Sequence, residues 1–567
     1  MKTKIQIPNE TKYLSEVLED LPYNVIFDKG LVGCGGTTIA IRNNENYIIA
    51  VHYVTLIENK VNQNPNLLGV YGKTTDKEIL KYINSEGNPQ KIITTYDSVC
   101  RVVSLLQSNN KDLTQYRLLV DEYHLLFTNY SFRHDAVRCV LDNYTKFKSF
   151  CFMTATLLED EFILKELQHI PILEAEWSNV KTVTVNSIKC KGSVIPTVSN
   201  IILKHLDETI EGNAYFFINS VDFIKELVKL LNLNDENTRG IWSKYNKTNP
   251  GITLSLTTDS PKKINFLTST CFEGADLYDV DAKIYIVSDK SKAHTLVDIS
   301  TSFQQIACRV RDSKYSDNIA HIFTHTRYDV ELTYNQFKKE TEFGIQEANE
   351  LAKEFSSLSE KARTIIKDVD QPYLFKVNNS FVYDENLVKI DLYNFKVTKC
   401  LYKLRVNLND SYKTNGFKVQ EYDSLIKNDF KISNVFKEVV IECEKLDVDY
   451  LNWAFKQYPF LKIAIEHLGF DKMKELNYNK SHIERYASKY ILSSEKDKVI
   501  TALNSYYEIE VGVFISNSRL KIILEIIYQT LNINKIAKAS DITLYKKVKV
   551  KQKVIKGSSV FGYIIMS

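Results

Sequence analysis

A chain of 567 residues is too long for a single hydrophobic core, so its length predicts roughly three or four domains. Apolar residues make up 44% of the chain and aromatic residues 11%, which supports packed cores and excludes global disorder. The net charge of +3 neither requires nor excludes nucleic acid as a partner. No apolar run approaches about 18 residues and no apolar leader follows the start, so we expect neither a membrane span nor secretion.

The cysteines indicate the redox compartment. All nine are scattered along the chain, and none belongs to a C-x-x-C pair. An odd number with this spacing is typical of reduced thiols in a cytosol rather than of disulfides or a zinc site. We therefore expect a cytoplasmic protein with free thiols.

Residues 1–178 alternate short apolar strands with helices, which is the order of a parallel α/β sheet. Parallel sheets place ligands at the carboxyl ends of their strands. We therefore predict a first α/β lobe with its chemistry at that edge. The predicted strands are residues 25–27, 47–51, 118–120 and 150–153, together with the segment 91–98, a strand that leads into a helix.

A glycine-rich loop, GLVGCGGTT, occupies residues 30–38 after the first predicted strand. It fits the phosphate-binding pattern G-x-x-x-x-G-K-[ST] at every position except the lysine, which is Gly36. Backbone N–H groups of such a turn converge on phosphate oxygens, although a tight connection between strand and helix is the simpler explanation of a lone turn. The candidate nucleotide-binding residues of this loop are Gly30, Gly33, Gly35, Gly36, Thr37 and Thr38.

Two carboxylates, Asp121 and Glu122, follow the buried strand 118–120. The Thr37 hydroxyl and the Asp121 carboxylate are the predicted Mg²⁺ site, since Mg²⁺ prefers oxygen ligands and keeps part of its water shell. Glu122 is predicted to orient or deprotonate an attacking water. A strand end that faces solvent would also explain such a pair, but the tripeptide 154–156, Thr-Ala-Thr, after the next strand favours a nucleotide site.

Residues 179–330 repeat the strand and helix alternation and predict a second parallel α/β lobe. The segment 188–196, with Gly192 and Pro196, reads as the connection between the lobes. The predicted elements are strands at 213–218, 263–267 and 281–288 and helices at 221–231 and 302–311.

Residues 331–510 predict a mostly helical accessory region. Its first part is a long polar helix over 340–369, and residues 373–397 alternate apolar and polar side chains around Asn378 and Asn379, as in a β-hairpin. No catalytic group of residues stands out in this region.

Residues 511–567 predict a helix over 517–531, a second helix from Asp541, and strands over 548–555 and 560–565, with a turn at 556–559. This order looks like a winged-helix module. Its hairpin is basic, and lysines there can hold phosphates without reading base sequence. A solvated basic tail that completes the fold is the alternative. The candidate nucleic-acid-binding lysines are Lys547, Lys549, Lys551 and Lys553.

The order of these motifs resembles the superfamily 2 helicases and translocases, whose members include the DEAD- and DEAH-box proteins, and in particular the DEAH-like branch. The resemblance runs from the loop at 30–38 through Asp121–His124 and 154–156 to residues 304–311. It implies two tandem RecA-like lobes that bind ATP and Mg²⁺ between them. It also implies that Thr94 and Thr95, within the segment 91–98, contact nucleic acid.

The same resemblance implies that an arginine of the second lobe stabilises the transferring phosphoryl group. Gln305 and Arg309 share one face of the predicted helix 302–311, whereas Arg311 lies about 200° round from Arg309. We therefore favour Arg309 for this role, and Arg311 if the helix ends early at Cys308. Gln305 and Asp276 are candidate nucleotide-binding residues; Asp276 is a candidate ribose or metal contact, or else only a strand-end cap.

The chain departs from the helicase pattern at three positions. Gly36 replaces the lysine, Tyr123 stands where small residues are usual, and Asp312 occupies the slot of a second arginine. Loss of the lysine removes one cation from a site that must neutralise growing charge. Lys29, immediately before the loop, is the nearest cation in the sequence.

We predict an ATP-dependent helicase or translocase with ATP and Mg²⁺ as cofactors. DNA is favoured over RNA as its partner, in a phage or other mobile element, with replication or mobile-element proteins as further partners and the cytoplasm of a bacterial or phage-infected cell as its location. The alternative is a hydrolysis-deficient, helicase-like nucleic-acid-binding or scaffold protein, which Gly36 favours. A nuclease or modification enzyme built on the motor fold would need a catalytic group that the tail does not display.

Overall fold

The computed structural model describes residues 2–85, 89–178, 180–326, 332–366, 369, 371–377, 380–424, 432–505, 509–533, 537–555 and 558–566. The chain divides into two compact units, Met1–Asn428 and Asp429–Ser567. The predicted accessory region 331–510 is thus divided between the units, and the boundaries at 178 and 510 remain predictions. No helix in the described residues combines the length and apolarity that a bilayer crossing requires.

The first lobe is built on an eight-stranded, fully parallel sheet with the order β1-β8-β2-β7-β6-β3-β5-β4. Its strands are β1 (Lys2–Ile7), β2 (Val25–Asp28), β3 (Asn46–Val51), β4 (Leu67–Val70), β5 (Lys91–Thr95), β6 (Tyr116–Asp121), β7 (Ser149–Thr154) and β8 (Ile172–Trp177). Its helices are α1 (Gly36–Arg42), α2 (Val54–Gln63), α3 (Asp76–Ile83), α4 (Val99–Ser108), α5 (His124–Thr128) and α6 (His134–Leu141).

Both faces of this sheet are buried, as a parallel sheet requires. Along β3, Ile48 and Ala50 belong to the apolar core on one face. Tyr47, Ile49 and Val51 belong to the core on the other face. The continuous apolar run at 47–51 is therefore explained by burial on both sides of one strand.

The second lobe has a seven-stranded sheet, also parallel, with the order β11-β12-β10-β14-β16-β9-β19. The strands of the lobe are β9 (Thr184–Lys189), β10 (Asn213–Phe217), β11 (Thr238–Ile241), β12 (Ile264–Leu267), β13 (Leu277–Tyr278), β14 (Ala282–Ser288), β15 (Val310–Arg311) and β16 (Asn318–Phe323), and β13 and β15 form a separate parallel pair. Its helices are α7 (Ile195–Leu206), α8 (Val221–Leu231) and α9 (Gln304–Ala307). The two predicted α/β lobes are confirmed.

The last strand of this sheet comes from the predicted accessory region. Residues 332–424 contain α10 (Tyr334–Ser357), α11 (Glu360–Ile365), β17 (Leu374–Val377), β18 (Ser380–Tyr383), α12 (Glu385–Phe395), α13 (Arg405–Thr414) and β19 (Lys418–Asp423). Strand β19 pairs with β9 along its whole length. The predicted helix 340–369 is divided at Leu358, and the predicted hairpin is real but ends where α12 begins. Its turn, Asn378 and Asn379, lies outside the described residues.

The second unit contains five helices in its described residues before a small antiparallel sheet, which confirms the mostly helical carboxyl-terminal region. The helices are α14 (Ile432–Cys443), α15 (Val448–Gln457), α16 (Pro459–Glu475), α17 (Lys480–Ser494) and α18 (Lys496–Asn504). The sheet has the order β20-β22-β21 and packs on α19. These elements are β20 (Phe514–Ser516), α19 (Asn517–Thr530), β21 (Val548–Ile555) and β22 (Ser558–Ile565).

The second helix predicted from Asp541 is a 3₁₀ helix, Ala539–Leu544. Residues 556 and 557 of the predicted turn between β21 and β22 lie outside the described residues. The terminal module thus has the order strand, helix, 3₁₀ helix and hairpin.

One expectation about the cysteines is wrong. Cys100 on α4 and Cys139 on α6 form a disulfide, whereas seven others in the described residues are free. The contact between α4 and α6 brings together two cysteines that are 39 residues apart in the chain. Sequence spacing could not reveal this pair, because packing of the two helices creates it.

Candidate active site

The carboxyl ends of three neighbouring strands, β2, β7 and β6, form the candidate site. Lys29 follows β2, Thr154 ends β7, and Asp121 ends β6 with Glu122 directly after it. Because these strands are adjacent and parallel, side chains from residues up to 125 positions apart in the chain meet at one edge.

Lys29 lies between the two carboxylates of β6. Its Nζ donates to Glu122 Oε1 at 2.9 Å and lies 3.6 Å from Asp121 Oδ1. Only 6% of Lys29 is exposed. Burial alone would lower the pKa of this ammonium, but the charges of Glu122 and Asp121 outweigh it and raise the pKa. Lys29 is therefore a buried, charged lysine at the centre of the site.

Asp121 is held by contacts on both its side chain and its backbone. The Thr37 hydroxyl donates to Asp121 Oδ2 at 2.7 Å, so the two predicted Mg²⁺-binding groups are adjacent. Tyr96, which sequence reasoning missed, donates from its hydroxyl to Asp121 O at 2.7 Å. Nothing in its local sequence separates Tyr96 from the other 33 tyrosines of the chain.

The residues of the predicted metal site fit Mg²⁺ by their chemistry. Thr37 and Asp121 offer hard oxygen ligands, and the described residues contain no group of three or more His, Cys, Asp or Glu side chains that could enclose a metal. Mg²⁺ commonly binds through one or two protein oxygens and keeps water and phosphate ligands. Thr37 and Asp121 would hold the ion, which would offset charge on the phosphates.

The second carboxylate oxygen of Glu122 is held by groups from both lobes. Oε2 accepts from Thr154 Oγ1 at 3.2 Å and from Gln305 Nε2, in the second lobe, at 3.0 Å. His124 Nδ1 lies 3.5 Å from the same oxygen and 2.9 Å from Thr154 Oγ1. Burial raises the pKa of Glu122, but the Lys29 charge and then the His124 charge outweigh it and lower the pKa. The carboxylate is therefore kept ionised.

The backbone of Glu122 is in the left-handed region, with φ of 49°. This conformation is uncommon for a residue other than glycine and costs energy that the surroundings must offset. Strain of this kind is often found where a side chain must be aimed at a site. Here it turns the chain from β6 into α5 and aims Glu122 toward Lys29 and Gln305.

The glycine-rich loop meets the second lobe at Gly33. Its φ is 79°, and a Cβ atom there would lie only 2.5 Å from Arg311 Nη2, so the guanidinium rests against the loop backbone. Gly35 is also left-handed, and Thr38 N donates to Gly35 O as α1 begins. Gly30 approaches β8, where a Cβ atom would lie 2.5 Å from Ala175 O.

Gly36 does not face the cleft. A Cβ atom at this position would lie 2.4 Å from Met153 Sδ, and Met153 is fully buried in β7. The position where the pattern expects a lysine therefore points into the core of the lobe.

The two arginines of the second lobe, Arg309 and Arg311, lie in different surroundings. Helix α9 ends at Ala307 and Cys308 caps it, which is the early ending that favours Arg311. Arg309 is buried and bonds its own lobe, with Nη2 donating to Gln305 Oε1 at 2.9 Å and Nε to Gln305 O at 2.9 Å. Arg311 continues as β15, reaches Gly33, and pairs with Asp276 at 3.0 Å. The predicted helix to residue 311 is wrong because the chain leaves the helix at Cys308.

The remaining predicted nucleic-acid residues fall into two groups. Thr94 and Thr95 are buried, and their hydroxyls bond Thr95 O and Ser98 Oγ locally, which favours a packing role over direct contact. In the second unit, Lys547, Lys549 and Lys551 are exposed on the hairpin. Lys553 lies on β21 with Lys549 and Lys551, and the strand register pairs it with Val560 of β22.

No protein-family model and no curated protein matches the chain. Similar solved structures include S. cerevisiae Dbp5 bound to RNA and ADP BeF3, with 14% identity over 59% of this chain and 86% of that one and a TM-score of 0.39. Mss116p bound to ssRNA and AMP-PNP has 12% identity over 72% and 91%, with a TM-score of 0.38. A hypothetical ATP-dependent RNA helicase from Sulfolobus tokodaii has 13% identity over 56% and 90%, with a TM-score of 0.22. Scores this low establish neither a family nor an activity for the chain.

Proposed function

We propose that the protein is a nucleoside triphosphatase of the superfamily 2 helicase type that hydrolyses ATP while it moves on nucleic acid. The observation that carries this proposal is the position of Glu122, which contacts Lys29 in one lobe and Gln305 in the other. Because groups from both lobes hold this carboxylate, its position depends on whether the two lobes are closed. Closure and opening of two such lobes can move strand-contacting surfaces along a backbone.

Each group at the edge has a role in this reaction. Glu122 orients the attacking water and accepts its proton, and Gln305 and Thr154 fix the carboxylate from the other side. Arg311, against Gly33, offsets negative charge on the transferring phosphoryl group. Arg309 holds Gln305 in place through two hydrogen bonds. Its role is therefore to position Gln305, whereas Arg311 contacts the phosphoryl group.

Nucleic acid is proposed as the partner because of the exposed lysines 547, 549 and 551 on the hairpin. Exposed lysines on a strand contact phosphates and contribute affinity without sequence preference. DNA as the preferred partner, a phage or mobile-element context, replication proteins as further partners and the cytoplasm remain predictions.

The test is nucleic-acid-stimulated ATP hydrolysis by the full chain, measured beside Glu122→Gln. We expect this substitution to lower the hydrolysis rate by about 10²- to 10⁴-fold, since the water loses its base, while ATP still binds. A wild-type protein that binds no ATP would contradict the proposal.

A second candidate function is favoured by Gly36 and by the Lys29 ammonium on Glu122. A protein that binds ATP and nucleic acid without turnover would have the same architecture. Equal, background hydrolysis by wild type and Glu122→Gln, with ATP bound by both, would assign this function instead.

A further inference from the structure

Lys29 enters the site from a backbone that is fixed at several points. Its N–H donates to Thr154 O at 2.8 Å, and its carbonyl accepts from Trp177 Nε1 at 2.8 Å and Leu31 N at 2.8 Å. These bonds link Lys29 to β7, β8 and the start of the glycine-rich loop. Its ammonium therefore occupies the cleft from a defined position, unlike a flexible surface lysine.

Lys29 and position 36, where the sequence pattern expects a lysine, differ in the direction in which their side chains point. Position 36 faces Met153 in the core, so a side chain there begins away from the carboxylates. Lys29, seven residues earlier, already lies within 3.6 Å of both Asp121 and Glu122.

The two oxygens of Glu122 are held by different kinds of group. Oε1 accepts from Lys29, whereas Oε2 accepts from Thr154 and Gln305. If the ammonium moves away, Oε2 keeps its donors and the carboxylate stays in place. Only Oε1 is then freed, so it can accept a proton from water.

We propose that Lys29 is the cation that replaces the lysine missing at position 36. Through the contacts of the structure, it neutralises Glu122 and Asp121. When ATP binds, the ammonium turns to the β- and γ-phosphates, and Glu122 Oε1 becomes available to the attacking water. This inference rests on the proposed ATPase function, and it adds a residue and an exchange of partners that the phosphate-binding pattern does not contain.

The direct variant, Lys29→Met, is a poor test alone, because it leaves two buried carboxylates without their cation and can unfold the lobe. Glu122→Gln reduces this problem to one carboxylate, since the neutral amide no longer needs a counter-ion and Asp121 keeps the Thr37 hydroxyl as a donor. The decisive comparison is therefore Glu122→Gln against the double variant Lys29→Met with Glu122→Gln, both as full-length chains with Mg²⁺.

The measurement is the Kd for ATP and for ADP by titration, with a thermal melt of each variant. We expect the double variant to bind ATP about 10- to 150-fold more weakly than Glu122→Gln, the effect of one lost charge-assisted hydrogen bond. The loss for ADP is smaller, because ADP has no γ-phosphate. A structural defect would instead weaken both nucleotides equally and lower the melting temperature.

Lys91 provides the matched control. It is also a buried lysine of the first lobe, but its ammonium donates to Ala40 O at 2.8 Å and to Asn43 Oδ1, away from the carboxylate pair. Lys91→Met in the Glu122→Gln background should leave the ratio of ATP to ADP affinity unchanged. Lys29→Arg, which keeps the charge, should retain most of the ATP affinity.

Two outcomes overturn the inference in distinguishable ways. Equal ATP affinity in Glu122→Gln and in the double variant shows that Lys29 is only a counter-ion, and leaves the proposed ATPase function standing. Absence of ATP binding in both wild type and Glu122→Gln contradicts the proposed function itself, and the inference fails with it.

Discussion

The cations of the first unit and those of the second unit are placed in opposite ways. Lys29 and Arg309 are buried and bound to named partners, and Arg311 reaches the loop of the facing lobe at Gly33. Lysines 547, 549 and 551 of the second unit stand exposed on one strand and its approach. A buried charge without a partner costs free energy, so each cation of the site must meet its partner in a defined geometry. Exposed charges are screened by solvent and salt and act mainly through their number.

This contrast predicts that single substitutions matter in the site and act only cumulatively on the hairpin. The substitutions below test it, in order of decreasing effect.

The largest effect after Glu122→Gln is expected from Arg311→Ala. We expect hydrolysis to fall by about 10³-fold or more, since an arginine that offsets phosphoryl charge is worth this much in related chemistry. The Arg311 side chain is 28% exposed and its partner Asp276 is 46% exposed, so the melting temperature should hardly change. The measurement is kcat together with a thermal melt.

Arg309→Ala is the matched comparison for Arg311. Arg309 is 4% exposed, and its loss removes a donor from Gln305 Oε1 and from Ala275 O, whereas Gln305 O keeps the N–H of Cys308. We expect a lower stability, by about 1–3 kcal/mol for each buried acceptor left unpaired. The opposite result would assign the catalytic role to Arg309. In that case Arg309→Ala would lower the hydrolysis rate without lowering stability, and Arg311→Ala would hydrolyse ATP normally.

The next prediction concerns Glu273, a buried acid near Arg309, and the dependence of the free energy of unfolding on pH. Burial raises its pKa to about 7 although the Arg309 charge opposes the shift, and Tyr53 of the first lobe bonds it at 3.4 Å. Because the pKa of Glu273 is higher in the folded protein than in the unfolded chain, its contribution to stability is complete below the unfolded-state pKa near 4.5. This contribution is lost as the pH rises through 7. The contribution is on the order of 3 kcal/mol.

Urea unfolding at several pH values measures this effect. Glu273→Gln should flatten the fall in stability between pH 4.5 and 7, whereas Glu340→Gln, at an exposed position of α10, should not. The same slope in wild type and Glu273→Gln would mean that Glu273 is ionised in the folded protein.

The smallest effects are expected on the hairpin. Replacing Lys547, Lys549 and Lys551 together by Gln should weaken nucleic-acid binding at low salt, and each lost phosphate contact should reduce the log–log salt slope by about 0.9 on duplex DNA. Sequence preference should not change, because phosphates carry no base information.

Lys462, Lys474 and Lys521, exposed on helices of the same unit, are the control for this loss of charge. Their replacement by Gln removes the same three charges from other elements. An equal loss of affinity in both triple variants would show that net charge, rather than the hairpin, governs binding.

Local sequence patterns were enough to predict those parts of the fold that depend on neighbouring residues. The apolar run at 47–51 gives β3, the glycine-rich loop joins β2 to α1, and the carboxylate pair follows β6, because strand periodicity and turn chemistry act over a few residues. The sequence also predicted that Asp121, Glu122 and Thr37 share one edge, since parallel strands end together.

Which cations reach that edge depends on packing between distant parts of the chain. Helix α9 ends at Ala307, and the chain after it brings Arg311 rather than Arg309 to Gly33. Met153 fills the space beside Gly36, while Lys29 enters the cleft. The disulfide between Cys100 and Cys139 and the pairing of β19 with β9 have the same origin. Each of these contacts depends on packing between residues that are distant in the chain. A local sequence pattern does not tell which distant residues come within a few ångströms of each other.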